Sequence, residues 1–365
     1  MWRGAACDGG VGGDGVGGVS ACGGYARQGI GVCATRIRCD FYGMSPPTLL
    51  GVFRERAAVR RYSPRTVKVY ERWIIAYVNF HSRKHPRELG ATAVREFLTH
   101  LAQSRRVAIS TQNQALAALQ FLYATVLEQP LDPLKGVAAA RRPHHLPNVL
   151  SRADAQRVLT EMRGTPRLMA MLLYGAGLRV SECCQLRIKD IDLERGELRV
   201  RRGKGDRDRV TMVPMQIRDE VAAQMLAVRV LMSRRAVRGG GFVVLPGAFD
   251  RKSAAASQRW PWMWLFPSSR EYVDIESGQR RTHHIHQTVL QRAVAEAAAN
   301  ANLSQRVSCH TFRHSFATHL LAAGYDIRTV QELMGHRDVS TTMLYTHVLN
   351  RGGLCVRSPL DVDVR

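Results

Sequence analysis

Six side chains between positions 179 and 345 are of types that could together move a phosphodiester: Arg179, Lys204, His310, Arg313, His336 and Tyr345. That reaction needs a nucleophile in line, donors on the non-bridging oxygens and an acid for the leaving oxygen. A pair of metal ions can supply the donors, but the sequence shows no obvious carboxylate cluster to hold them and offers cations instead. Arg179 sits in Gly175-Ala-Gly-Leu-Arg-Val-Ser-Glu182, a glycine-punctuated turn between two apolar helices. His310 and Arg313 stand at i, i+3 and share one face near a helix start. His336 follows a helix stop at Gly335, and Tyr345 lies nine positions on, in a segment begun by Asp338 or Ser340. Singly, each is weak: a lone Arg or Tyr is more often surface or core, and a lone His a satisfied polar group. His310 and His314 are spaced i, i+4 as helical zinc ligands could be. The Glu of an HExxH motif is absent, however, and Arg313 would repel a cation, so no metal is expected.

The elements that must position these groups are carried by a basic chain. Its 365 residues hold 53 Lys and Arg against 30 Asp and Glu, a formal charge of +23. Such self-repulsion points to a polyanionic partner, and the cations run from Arg54 to Arg357 rather than forming a tail. The longest apolar run, Leu168 to Leu178, is too short to span a bilayer, and no basic amphipathic anchor stands out, so no membrane partner is expected. Cys7, Cys22, Cys33 and Cys39 lie in a Gly-rich leader, and Cys183, Cys184, Cys309 and Cys355 form no CxxC pair. A reducing, cytoplasmic compartment follows. Residues 1–43 show no apolar periodicity and no signal-peptide core. They read as disordered, with translation expected to start at Met44.

Helical patterning follows. Ser63-Pro64 opens a helix whose apolar stripe is Val67, Tyr70, Ile74, Tyr77 and Val78. A second helix carries Val94, Phe97, Leu98 and Leu101; a third, capped by Ser110, carries Leu116, Leu119, Tyr123, Val126 and Leu127. Short connections make residues 44–140 a compact bundle. The segment 141–150, with Arg141, Arg142, Pro143 and Pro147, reads as a linker able to follow a DNA backbone. Ser151 and Asp154 form a capping box. Glu197–Arg202 and Arg207–Val213 read as a β-hairpin with Lys204 at its tip. One late helix ends at Gly324, and the next runs from Asp326 to Gly335.

Taken in order, Gly-Leu-Arg-Val-Ser-Glu, Gly-Lys-Gly, His-Thr-Phe-Arg-His-Ser-Phe-Ala-Thr-His, Leu-Met-Gly-His and Thr-Thr-Met-Leu-Tyr-Thr-His closely resemble the tyrosine recombinase (phage integrase) family over residues 44–360. The resemblance implies a mainly α chain with a small β-sheet (α+β): a SAM-like core-binding domain over 44–140, a catalytic domain over 151–350 and a tail over 351–365. It implies that Tyr345 attacks the scissile phosphate to give a 3′-phosphotyrosyl link. Arg179 and Arg313 would fork onto the phosphate oxygens, Lys204 would protonate the leaving 5′-oxygen, His310 would assist proton transfer at the tyrosine, and His336 would donate to the phosphate. Glu182 and His347 are read as supporting or structural. The covalent link stores the bond energy, so no cofactor is needed. Four protomers on two DNA partners are expected, the tail of each packing on a neighbour.

An insertion at about 242–286 narrows the resemblance to the integron integrases. It holds Trp260, Trp262, Trp264 and Phe266, which alternate as on one face of an extended segment, followed by Arg280, Arg281, His283, His284 and His286. For Trp264 to Phe266 a buried strand is the plainer reading. Aromatic residues beside basic ones also make stacking platforms for unpaired bases. The resemblance implies that Trp262, His283 and His284 hold bases protruding from folded single-stranded hairpin sites. The bland stretch Ser253-Ala-Ala-Ala256 departs from that expectation. Alternatives are another Xer-like or phage-type recombinase, a type IB topoisomerase, or a silent DNA-binding module.

Overall fold

The computed structural model describes residues 48–131, 148–201, 208–247 and 249–335. The leader, Arg141, Arg142, Lys204, His336, Tyr345, His347 and the tail lie outside the described residues. Two compact units emerge, Met1–Arg142 and Pro143–Arg365.

The first unit packs α1 (Leu49–Val59), α2 (Pro64–Phe80), α3 (Ala91–Gln103) and α4 (Ile109–Phe121), the last continuing as a π turn over Leu122–Val126. Ser63 caps α2 as its sequence predicts, its side chain accepting from the Thr66 amide at 3.1 Å. The stripes interdigitate around Phe53, Ile74, Tyr77, Phe97, Leu98 and Leu119. At the centre Tyr77 and Tyr123 join hydroxyls at 2.8 Å, and Tyr123 also reaches the Pro86 carbonyl at 2.9 Å, so neither buried hydroxyl is stranded. Ser110 is not the cap of α4. The Val107 amide bonds the Leu101 carbonyl at 3.1 Å, the turn closes there, and Ala108 takes the N-cap position.

The second unit is built round α6 (Gly164–Ala176), which packs against α5 (Arg152–Glu161), α10 (Gln287–Asn300) and α11 (Cys309–Ala322). The Ser151 hydroxyl caps α5, accepting from the Asp154 amide at 3.0 Å. Just ahead of α5, Leu150 is clamped on α11: its amide donates to Ser315 Oγ at 2.9 Å and its carbonyl pairs with His319 Nε2 at 3.0 Å. Gly177, at φ +65°, ends α6 in the left-handed conformation, and Arg179 opens the short α7 (Val180–Cys184). β1 (Ile191–Asp192), β2 (Glu197–Val200) and β3 (Arg209–Met212) make an antiparallel sheet, with Leu198 opposite Thr211. The long α8 (Arg218–Val237) then leads into the insertion.

The insertion has a sheet of its own, so the described residues of the unit form two small sheets. β4 (Phe242–Val243) runs parallel to the central β6 (Arg280–His284), which pairs antiparallel with β5 (Pro267–Val273); α9 (Phe249–Lys252) lies between β4 and β5. The tryptophans do not form one extended segment. Trp260–Trp262 is a 3₁₀ turn closed by Trp262 N–H to the Arg259 carbonyl at 3.0 Å, with Pro261 fixing its φ. Met263 to Phe266 is then wholly buried, as a core reading requires. α12 (Ile327–Met334) starts on Asp326 and stops at Gly335 (φ +61°), as expected. Among the described residues no helix is long and apolar enough to cross a membrane.

A Cβ added at Gly177 would lie 2.5 Å from the Phe316 ring, on a backbone that L side chains avoid. Gly177→Ala should therefore destabilise by about 2 kcal/mol or more, read as a lower thermal midpoint. An unchanged midpoint would mean that Phe316 moves aside freely.

Candidate active site

Three consecutive carbonyls at the carboxy end of α12 each hold an arginine. Leu333 O accepts from Arg209 Nε at 2.9 Å, Met334 O from Arg313 Nη2, and Gly335 O from Arg179 Nη2 at 3.2 Å. The helix dipole places partial negative charge at this end, so cations gather there. Arg313 also donates to the Gly177 carbonyl, which fixes α11 to the turn before Arg179. Arg179 and Arg313, expected from the sequence, are thus brought together.

Glu182 joins them. Its Oε1 accepts from Arg179 Nη1 at 2.6 Å and Arg209 Nη1 at 2.9 Å; its Oε2 accepts from Arg209 Nη2 at 2.7 Å and the Arg179 amide at 2.8 Å. Arg313 Nη1 stands 3.8 Å from Oε2. Glu182 is the third residue of α7, so its bond to the Arg179 amide is half of a capping box and orients the helix start. Burial alone would raise this carboxyl, but hydrogen bonds and charge from Arg209 and Arg179 outweigh it and hold the pKa down at about 2. Glu182 is therefore an anion at every working pH.

His310, at the second position of α11, feels the same cations. Partial burial, then the charges of Arg313 and Arg179, lower its pKa from 6.5. At neutral pH the imidazole is uncharged and can accept a proton, as an assistant to a tyrosine nucleophile must. His314, one turn on, is pushed to about 4 by burial, His310 and Arg313. The two rings stand 6.4 Å apart, and among the described residues no three His, Cys, Asp or Glu side chains gather as a metal site.

Beside Arg179 opens a cavity of about 510 Å³, which Arg179 and Glu182 share with Arg187, Lys189, Trp262 and Trp264. Lys189 Nζ lies 3.0 Å from the Trp262 ring centre, and the Arg187 guanidinium lies 3.7 Å from that of Trp264. Arg187 is buried, donating to the Trp262 carbonyl at 2.5 Å and the Val244 carbonyl at 2.7 Å, and so pins the insertion to the main body. Burial and the neighbouring charge of Arg201 lower the Lys189 pKa from 10.5. His283 and His284 do not line this cavity. Their ring centres lie 4.0 Å apart with the planes tilted at 49°, and His284 meets Trp264 edge-on at 5.2 Å. Burial above all pushes His284 to about 4, so it is neutral.

Sequence reading passed over Arg209, Arg187 and Lys189. In β3 the strand alternation is inverted: Arg209 and Thr211 face inward, while Val210 and Met212 are exposed. An apolar-inward rule turns this strand the wrong way. The only signal was an alternation of basic and polar residues with apolar ones, which polarity alone cannot orient.

Residues 148–351 match the phage integrase family, and residues 49–133 match the phage integrase N-terminal SAM-like domain. An "Integrase/recombinase" of Escherichia coli and one of Pseudomonas aeruginosa are each 44% identical over 313 residues, 86% of this chain and 93% of theirs. Tyrosine recombinase XerA of Thermococcus kodakarensis is 32% identical over 78% of this chain and 86% of its own. Among solved structures, XerH bound to palindromic difH substrate superposes with a TM-score of 0.56 at 20% identity, covering 82% of this chain and 81% of that one. A Tn1549 transposon integrase bound to transposon right-end DNA gives 0.55 at 16%, covering 86% and 96%. These two show a shared fold.

An NMR titration should place the His310 midpoint below 6.5. Arg179→Met should move it upward, because a cation that penalises the imidazolium is gone. A midpoint unaffected by that change would disconnect the two residues.

Proposed function

The chain belongs to the phage integrase family and is a tyrosine site-specific recombinase, and on that premise we propose that it is an integron integrase, moving gene cassettes through a 3′-phosphotyrosyl intermediate. The Tyr345 oxygen attacks the scissile phosphorus, the bond to the 5′-oxygen breaks, and Lys204 gives that oxygen a proton. His310, neutral, takes the tyrosine proton. Arg179 and Arg313 hold the non-bridging oxygens, where a planar fork matches the charge better than an ammonium does, and His336 adds a donor. Attack by a second strand's 5′-hydroxyl reverses these steps and rejoins the DNA. One phosphodiester is exchanged for another, so no external energy is needed. Cutting two sites in turn calls for four protomers on two DNA partners. The basic segment at Arg141 and Arg142 would track the backbone of the bound duplex.

The cassette reading is carried by one observation: the insertion delivers Trp262, over Lys189, into the cavity that Arg179 also lines. The indole is flanked by Lys189 and by the Phe249 ring, 5.1 Å away centre to centre, and an aromatic platform of this kind at the edge of a cavity can be extended by an unpaired base. The base lies next to the strand to be cut, so a folded single-stranded site is marked by what protrudes from it. Trp264 forms part of the wall, His284 packs edge-on against it, and Arg187 ties it down. On the alternative reading, a Xer-like recombinase acting on plain duplex sites, Trp262 would have no unpaired base to stack.

A nicked suicide substrate separates the reaction classes. The wild-type chain should give a covalent complex and then strand exchange, whereas a topoisomerase gives the adduct alone and a binding module neither. Tyr345→Phe should bind DNA and form no adduct, and an adduct in that variant would defeat the assignment of the nucleophile. Trp262→Ala should lower recombination of a hairpin site by about tenfold or more, from a stacking loss of about 1–3 kcal/mol, and spare a duplex site. Equal effects on both sites would leave an ordinary duplex recombinase.

A further inference from the structure

Arg209 is a guanidinium that cannot reach a substrate. All three of its nitrogens are occupied inside the protein: Nε on Leu333 O at 2.9 Å, and Nη1 and Nη2 on the two oxygens of Glu182 at 2.9 and 2.7 Å. Its side chain is 9% exposed. It is packed beneath the left-handed Gly335, where an added Cβ would come within 2.9 Å of its Cδ. Three of its five N–H donors are thus spent on the protein, including the one on Nε and one on each Nη, and a side chain this buried is turned toward Glu182 and Leu333 rather than toward a substrate.

What Arg209 does hold is the only carboxylate bonded to Arg179 among the described residues. Glu182 takes one side-chain bond from Arg179, a two-point pair from Arg209, and the nearby charge of Arg313 at 3.8 Å. Three cations against one anion leave a net charge of +2 at the site. Without Arg209, one anion would face two cations and leave +1. The lone carboxylate would then draw Arg179 and Arg313 to itself, in competition with any phosphate. A bidentate arginine saturates both oxygens, whereas a lysine would cancel the charge at a single point.

We propose that Arg209 is a positioning residue whose charge cancels that of Glu182, leaving Arg179 and Arg313 positive toward the scissile phosphate. The inference rests on the phosphotyrosyl reading given above, in which those two arginines hold the phosphate. It predicts that the need for Arg209 depends on the charge of the phosphate and on the charge of Glu182. A residue that only stabilised the fold would show neither dependence.

Both dependences can be measured on the full chain by single-turnover formation of the covalent complex. The substrates are an ordinary suicide site and the same site with a neutral methylphosphonate at the scissile position. The wild-type adduct on the ordinary site tests the phosphotyrosyl reading; its absence would defeat that reading, while the outcomes below bear on Arg209 alone. Arg209→Met should slow the ordinary substrate by on the order of 10²-fold, as loss of electrostatic support at a reacting phosphate does. It should slow the methylphosphonate by less than about tenfold, because there is no phosphate charge left to hold. Adding Glu182→Gln to Arg209→Met should recover about tenfold or more on the ordinary substrate, the coupling expected of two charges that cancel. Equal losses on both substrates, with no recovery in the double variant, would overturn the proposal. If Arg209→Met fails to bind DNA, Arg209→Lys decides. Retained charge should keep the ordinary rate within about tenfold of wild type, and a loss of about 10²-fold despite that charge would reject the electrostatic role.

Discussion

The carboxy end of α12 is the point on which the catalytic unit turns. Its last carbonyls have no partners within the helix and must find donors elsewhere. They find three guanidiniums, each from a different segment: β3, α11 and the turn before α7. Residues distant in sequence are thereby placed within one small volume. Most of the energy of the fold lies elsewhere, in the apolar core around α6, but that core would tolerate small shifts of these segments. Three charged hydrogen bonds on adjacent carbonyls would not.

Such a gathering of positive charge is unfavourable by itself, and two features offset it. The helix end contributes partial negative charge, and Glu182 contributes a full one, at a desolvation cost that its bonds to Arg209 and Arg179 outweigh. The result is a site preorganised for an anion before any anion arrives, so little reorganisation accompanies reaction. Burial first, and then the same field, explain a neutral His310. The cations that would hold a phosphate also lower the basicity of the imidazole, so on the proposed reading one arrangement would serve both charge binding and proton transfer.

Much of this architecture was legible in the residues. Ser63-Pro64, Ser151 with Asp154, and the glycines at 177 and 335 each act through local backbone chemistry, and each does in the fold what its type requires. Arg179 and Arg313 were legible through motif order. Arg209 was not, because its burial depends on partners more than a hundred positions away, at Leu333, and its own strand carries apolar residues on the opposite face. The tryptophan segment was misread for a related reason. Alternation suggested extension, whereas Pro261 and two turn hydrogen bonds curl the chain, and Arg187 and Lys189 complete the wall from another element.

The arginines grip α12 through main-chain oxygens, and that sets which positions can drift. A backbone carbonyl is the same whatever side chain it carries, so the grip on Arg209 does not itself depend on the Leu333 side chain, which is half-buried against the cluster of Phe316, Val330 and Met334. Met334 is held more narrowly by packing, since it is fully buried beside Phe316 and Val330. The arginines and Glu182 have no such latitude: each serves two or more partners, and a change in one leaves the others with unmatched charge. Mutational tolerance in this unit should therefore run opposite to sequence distance. Exposed positions on α12 such as Glu332 can vary, while residues far apart in the chain must stay fixed together.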